Sequence, residues 1–277
     1  MTFTKTWFLL EQEGLLAQAC LCHGLTALRQ ANLGDKKGLF YSAFFELSTG
    51  LERTMKLILI LDHMAQNQLS PPDDKFIRCY GHRLGKLWNA TKSVGARRGL
   101  TVLEGFQADS LGMITLAFLD KFADTNGRYS NINQLTGRGN QTVADPLQRW
   151  GEITNLIMRD HATVSERQRA QSNGQTVAAA VSDISISLIN DMDQQNMEVA
   201  GLHTRSSELE TAARYAIHAL VTLVAALRDV IESVCEDCWK TELDMGQDGT
   251  AHIPHMREFF DFAWTDKSYV RRKRKWP

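Results

Sequence analysis

Proline is scarce in this 277-residue chain: Pro71, Pro72, Pro146, Pro254 and Pro277 are the only five. None falls between Leu147 and Ile253. Since an interior proline costs a helix about 3 kcal/mol, that gap suits long helices. Net charge is nearly absent as well. With 31 basic and 32 acidic side chains the formal charge is −1, which excludes coating nucleic acid by bulk charge and leaves only a local patch. No run approaches the roughly 20 apolar residues of a membrane span; Leu57 to Leu61 and Ala219 to Leu227 are short and sit inside periodic patterns. Met1 to Gln12 lacks the long apolar region and small-residue cleavage site of an export signal. A cytoplasmic protein without membrane contact is the expectation. Cysteines number five, an odd count that in such a compartment favours free thiols over disulfides.

What is present is helical periodicity. At 43% hydrophobic and 23% charged the chain is globular, with length for one large domain or two small ones. Tyr41, Phe44, Ser48, Leu51, Met55, Ile58 and Asp62 recur by alternating threes and fours, a mostly apolar stripe with Glu46, Thr49, Arg53 and Lys56 opposite. Ala216, Leu220, Leu223, Leu227, Val230 and Val234 keep the same spacing, which implies packing along another helix, in this chain or in a partner copy. Ser206 or Ser207 reads as an N-cap, and Glu210 completes a capping box with Ser207.

Further helices are expected at Trp7 to Ala31, Phe76 to Lys92, Ser110 to Ala123, Pro146 to Ala170 (with Asp145 as cap) and Thr176 to Met197. Polar, glycine-bearing loops separate them at Asn32 to Gly38, Gln68 to Asp74, Ser93 to Gly105, Thr125 to Ala144 and Gln171 to Gln175. The one strand candidate, Phe259 to Trp264, reads equally as a helix end. The expected fold is all-α, an antiparallel bundle in residues 1–145, long helices packing on it in 146–240, and an irregular tail in 241–277.

The tail reverses its charge. Asp229 to Asp248 holds seven acids against Lys240, whereas Lys267 to Pro277 holds Lys267, Arg271, Arg272, Lys273, Arg274 and Lys275 and no acid. Either the two halves neutralise each other, or Arg271, Arg272 and Lys273 belong to a phosphate-binding tail with Trp276 free to stack on a base.

Three linked segments carry a family resemblance. The helix from Phe40 to Leu61 contains Gly50-Leu51-Glu52-Arg53-Thr54-Met55-Lys56; after a proline-bearing loop comes Gly81-His82-Arg83-Leu84-Gly85-Lys86-Leu87; later, Leu119 to Ala123 leads into Gly127-Arg128-Tyr129-Ser130-Asn131. This order resembles the HEPN family (higher eukaryote and prokaryote nucleotide-binding domains), which pairs a Lys-bearing helix with a His-x-Leu segment and a later Arg-Tyr, here over roughly Phe40 to Gln134. The resemblance implies an antiparallel bundle, homodimerisation or a partner protein, RNA cleavage or nucleotide binding, and service in prokaryotic anti-phage or toxin–antitoxin systems.

The family's metal-independent ribonuclease signature, Arg followed after four to six residues by His, is absent. The nearest pairs are Arg78/His82 and Arg214/His218, each with three residues between. An i,i+4 pair shares one side of a helix, so Arg can hold a phosphate while His moves a proton. Arg214 and His218 fall away from the Ala216 seam and should be exposed or meet another surface. Arg53 and Lys56 either line a phosphate groove or form an ordinary charged face, with Glu52 supporting Lys56. Arg128 and Tyr129 either fix the His82 loop or face a nucleotide. Cys235-x2-Cys238 with His252-x2-His255 is the one metal-like spacing, but two residues between the histidines and Pro254 among them spoil a zinc site. Cys20 and Cys22 lie on different sides of their helix. No metal or cofactor is expected. Nucleophile elbows, phosphate-cradling glycine loops and His-Glu-x-x-His are missing. The expected role is RNA or nucleotide binding or cleavage. The alternative is a non-catalytic assembly or sensor subunit joined through the long C-terminal helix.

Overall fold

The computed structural model describes residues 2–124, 128–137, 145–181, 189–246 and 249–277. Among these the chain is all-α. The helices are α1 (Lys5–Gln30), α2 (Gly38–Gln66), α3 (Asp74–Arg78), α4 (Leu84–Arg97), α5 (Leu111–Ala123), α6 (Ser130–Leu135), α7 (Pro146–Asp160), α8 (Val164–Val181), α9 (Val199–Asp244) and α10 (Lys267–Arg272). A 3-10 helix spans Met256–Phe260. Two short strands, Thr2–Phe3 and Thr250–Ala251, pair in parallel.

α2 is the central rod. It packs on α1, α4, α5 and α9, and its predicted stripe is buried as spaced: Phe44, Leu51, Met55 and Ile58 are closed to solvent. α1 and α2 are antiparallel and cross where glycines remove side-chain bulk. A Cβ on Gly24 would lie 2.7 Å from Leu47, and one on Gly50 would lie 2.7 Å from Leu21. Phe44 meets Phe118 of α5 edge-on at 4.7 Å between ring centres, with Trp150 of α7 at 5.5 Å. On the other side, Asp62 accepts from Arg97 and Arg98 at 2.6 Å each, and Arg98 continues to Asp237 at 2.9 Å. This chain of ions ties α2, α4 and α9 together.

The seam of α9 lies wholly inside the chain: Ala216, Leu220, Leu223, Leu227, Val230 and Val234 are at most 1% exposed. It is therefore closed to a partner copy. The helix also starts earlier than Ser206 or Ser207. Glu198 precedes it, and the Ser206 hydroxyl instead donates back to the Leu202 carbonyl within the helix.

Other expectations are corrected as well. The helix predicted over Phe76 to Lys92 breaks after Arg78, because Gly81 adopts φ +58° in the turn before α4. The helix predicted from Pro146 to Ala170 stops at Asp160 and restarts at Val164. There the Thr163 hydroxyl accepts from the Glu166 N–H at 3.2 Å while the Glu166 carboxylate accepts from the Thr163 N–H at 2.9 Å, a reciprocal cap. Residues 171–175 are not a loop but the interior of α8, where Gly174 lies so close to α9 that a Cβ would fall 2.0 Å from the Thr204 hydroxyl. Of the helix expected from Thr176 to Met197, the part to Val181 belongs to α8, residues 182–188 lie outside the described residues, and Asn190 and Asn196 form an isolated antiparallel bridge. Half of the predicted loop Thr125 to Ala144 lies outside them too, and its described part holds α6.

The tail is ordered against the bundle. Val270 and Trp276 are buried at 2% and 3% exposure, and the Trp276 N–H donates to the Thr26 hydroxyl of α1 at 3.0 Å. Trp276 is thus a core residue and not free to stack on a base. One contiguous core runs from Leu10 to Trp276.

Candidate functional site

The first two resemblance segments meet at Glu52 of α2, and the third meets α2 further toward its N-terminus. Glu52, almost wholly buried, receives Lys56 Nζ at 2.7 Å from one turn on, and His82 Nδ1 at 3.0 Å from the loop before α4. Arg53, on the neighbouring side, pairs with Glu13 of α1. Arg53 therefore has a carboxylate of its own, and Lys56 shares Glu52 with His82. Arg128 stacks on the Phe45 ring with its guanidinium 5.1 Å from the centre. Phe45 precedes Glu52 by seven residues, so Arg128 and His82 sit about 10 Å apart along α2, on one stripe but on different partners. Tyr129 is exposed, and Gly127 lies outside the described residues.

The first Arg-His pair is pulled apart. Arg78 pairs with Asp74 within exposed α3, while the left-handed turn at Gly81 carries His82 to Glu52. These two residues do not share a helical face, contrary to the spacing argument. The second pair does share one, on continuous α9, and the surface it meets is the docked tail. Arg214 Nη2 approaches Glu210 at 3.3 Å, and His218 Nε2 lies 3.3 Å from the Thr265 carbonyl, to which it must donate. Burial, joined by Arg271 and Lys267, depresses the His218 pKa, which keeps this ring neutral at pH 7.

The thiol–histidine spacing does not assemble into a site. Cys238 donates its thiol to the Leu61 carbonyl, His252 faces Glu242 at 3.0 Å, and His255 packs on Trp239. Burial pushes the Cys22 and Cys238 thiols up to about 12 and Cys20 to about 11, and raises Cys235 further. All five cysteines are free thiols. Among the described residues no group of three or more His, Cys, Asp or Glu is placed to hold a metal.

The unbalanced charge lies elsewhere. The tail crosses α9 with the Arg271 guanidinium laid on the Tyr215 ring, 3.5 Å from its centre, while the Tyr215 hydroxyl donates to the Glu166 carboxylate at 2.7 Å. Beyond it, Arg274 comes within 3.7 Å of Glu210, which Arg214 and Arg29 of α1 also approach. Three guanidinium groups share one carboxylate. Arg29 and Arg274, with Glu210 between them, line a cavity of about 500 Å3 whose walls also include Lys36, Asn173, His203 and Ser207. Lys267, Arg272 and Lys275 remain exposed on the same tail.

Sequence reasoning reached Arg214 and the tail but missed Arg29, Glu210 as an ion-pair hub, and the cavity. Glu210 and Arg214 are four apart and legible as a pair. Arg29 stands in the last turn of α1, where a cation is ordinary helix-end chemistry, and only the tertiary fold brings it to α9. No family model, curated protein or solved structure matches the chain.

Proposed function

We propose that this chain is a HEPN-like helical protein that binds RNA or a nucleotide, acting as a binding module in a prokaryotic anti-phage or toxin–antitoxin system. The order of the Lys56, His82 and Arg128 segments supports the kinship. The observation that carries the binding role is the docked basic tail: Arg271 lies on Tyr215, Arg274 reaches Glu210 beside Arg29 and Arg214, and Lys267, Arg272 and Lys275 stay exposed. A phosphate backbone is attracted to such a face because it releases condensed counterions on binding. A nucleolytic role has less support. Arg78 and His82 point to different partners, and Arg214 and His218 are engaged by Glu210 and the tail. A subunit role through α9 loses its motive, since that seam is filled from within.

Anisotropy of a labelled single-stranded RNA, measured across a salt series with EDTA present, tests this. Affinity should fall steeply with salt while the RNA stays intact. Changing Lys267, Arg272 and Lys275 together to Gln should flatten the log–log slope by up to about 2, at roughly 0.7 per lost phosphate contact. Absence of binding at low salt, or a slope the triple variant leaves untouched, would overturn the binding role. Cleaved RNA would restore the nuclease.

A further inference from the structure

We infer that the cavity beside Arg29 is a site for a phosphate monoester, the terminal phosphoryl group of a nucleotide or of a 5′-phosphorylated RNA end. The inference rests on the binding role above and assigns that role a ligand chemistry and a pocket.

Two other buried arginines are well supplied with acceptors. Arg205 is 10% exposed at its side chain and fully engaged: Asp191, Glu208, the Asn155 amide oxygen and the Gly151 carbonyl all accept from it. Arg98, at 11%, has Asp62 and Asp237 at 2.6 and 2.9 Å. Arg29 is more deeply buried than either, at 5%, yet among the described residues its only carboxylate is Glu210, at 3.4 Å from both terminal nitrogens. Among the described residues its Nε has no hydrogen-bond partner, which also holds for Arg128, Arg271 and the less buried Arg214 and Arg228. Burying an arginine is costly unless its donors are filled. Here three forks compete for one carboxylate that none reaches at good distance. Burial first, then repulsion from Arg214 and Arg274, pulls the Arg29 pKa down against the attraction of Glu210.

A dianion resolves this imbalance. A phosphate monoester carries close to two negative charges at neutral pH and three equivalent acceptor oxygens, and guanidinium groups bind such oxygens in pairs. A phosphodiester inside an RNA chain offers one charge and two free oxygens. The cavity volume falls within the roughly 300–1,000 Å3 typical of small-ligand sites, and Asn173, His203 and Ser207 supply polar lining for the rest of a nucleotide.

The test uses the full chain at near-physiological salt, with two pairs of probes: AMP against adenosine, and a 5′-phosphorylated against a 5′-hydroxyl oligoribonucleotide. The phosphorylated member of at least one pair should bind ten times tighter or more. Preference confined to AMP assigns a free nucleotide, and preference in the RNA pair assigns a terminus. Arg29→Gln should abolish the preference. A misfolded Arg29→Gln would give the same loss, so Glu210→Gln is its complement: removing the competing carboxylate should strengthen binding of the phosphorylated probe at least threefold, a gain that misfolding cannot produce. Neutralising Lys267, Arg272 and Lys275 should alter the salt slope and leave the phosphate preference in place, so the pocket and the wider basic face fail separately. Equal affinity within both pairs, or a preference indifferent to both Arg29 and Glu210, overturns the inference.

Discussion

At the scale of single residues, the buried charges sort into two kinds. Asp62 and Arg205 have every strong partner they need, and such groups fix the relative positions of helices. Arg29 is equally secluded and poorly satisfied. Removing one member of a saturated buried network leaves the others uncompensated, which costs about 3–5 kcal/mol. Arg205→Met should therefore lower the stability of the protein by about 3 kcal/mol, as it strands Asp191 and Glu208. Arg29→Met should cost less than about 1 kcal/mol, because it also relieves repulsion with Arg214 and Arg274 and leaves Glu210 with two cations. Urea denaturation of the two variants checks the contrast. If Arg29→Met is as damaging as Arg205→Met, then Arg29 is an ordinary structural arginine.

Helices show where the chain could be read directly and where it could not. Stripes with strong spacing were legible: α2 and α9 bury the residues their periodicity nominates, and Asp145 caps α7 at Pro146 through a 2.9 Å bond from the Leu147 N–H. Breaks and crossings were less legible. Thr163-Val-Ser-Glu166 is a complete capping-box signal, but it lies inside an amphipathic run that continues on either side, so periodicity masked it. Gly174 gave the opposite error. Flanked by Asn173 and Gln175 it reads as a turn, yet its lack of a side chain serves a helix crossing, which only the neighbouring α9 reveals. The sign of a substitution separates the two roles. On an exposed helix, Gly→Ala stabilises by about 0.4–1 kcal/mol. At residue 174 the new methyl group meets the Thr204 hydroxyl and, at 2.6 Å, the Ala200 carbonyl. Gly174→Ala should therefore destabilise by about 1–3 kcal/mol, the usual cost of overpacking. A raised melting temperature would mean that α8 and α9 do not approach this closely.

On the scale of the whole molecule, the tail decides how fold and proposed role are joined. From sequence, Lys267 to Pro277 is a charged terminus of the kind that usually frays. What tethers it is sparse and nonlocal: Val270 against the bundle, Arg271 on Tyr215, and Trp276 sealed at the α1 side. A single aromatic at the penultimate position carries no periodicity, so no pattern in the sequence announces it. The candidate site was half legible for the same reason. Its cations stand out in the composition of the tail, whereas the wall they complete belongs to α1 and α9. This arrangement predicts that the tail cannot be removed as if it were an appendage. Truncating a buried tryptophan costs about 3–5 kcal/mol, so Trp276→Ala should lower the unfolding free energy by about 3 kcal/mol. Deletion from Tyr269 onward should cost at least as much, and it should also release Arg274 from Glu210. Loss of RNA affinity in the deletion would then mix lost charge with lost structure. Gln in place of Lys267, Arg272 and Lys275, all exposed, removes charge alone. Urea midpoints for Trp276→Ala, the deletion and the charge variant distinguish these effects: the first two should fall and the third should stay within about 0.5 kcal/mol of the parent. A deletion as stable as the full chain would mean that the tail does not rest on the bundle, and the shared carboxylate at Glu210 would lose one of its three arginines.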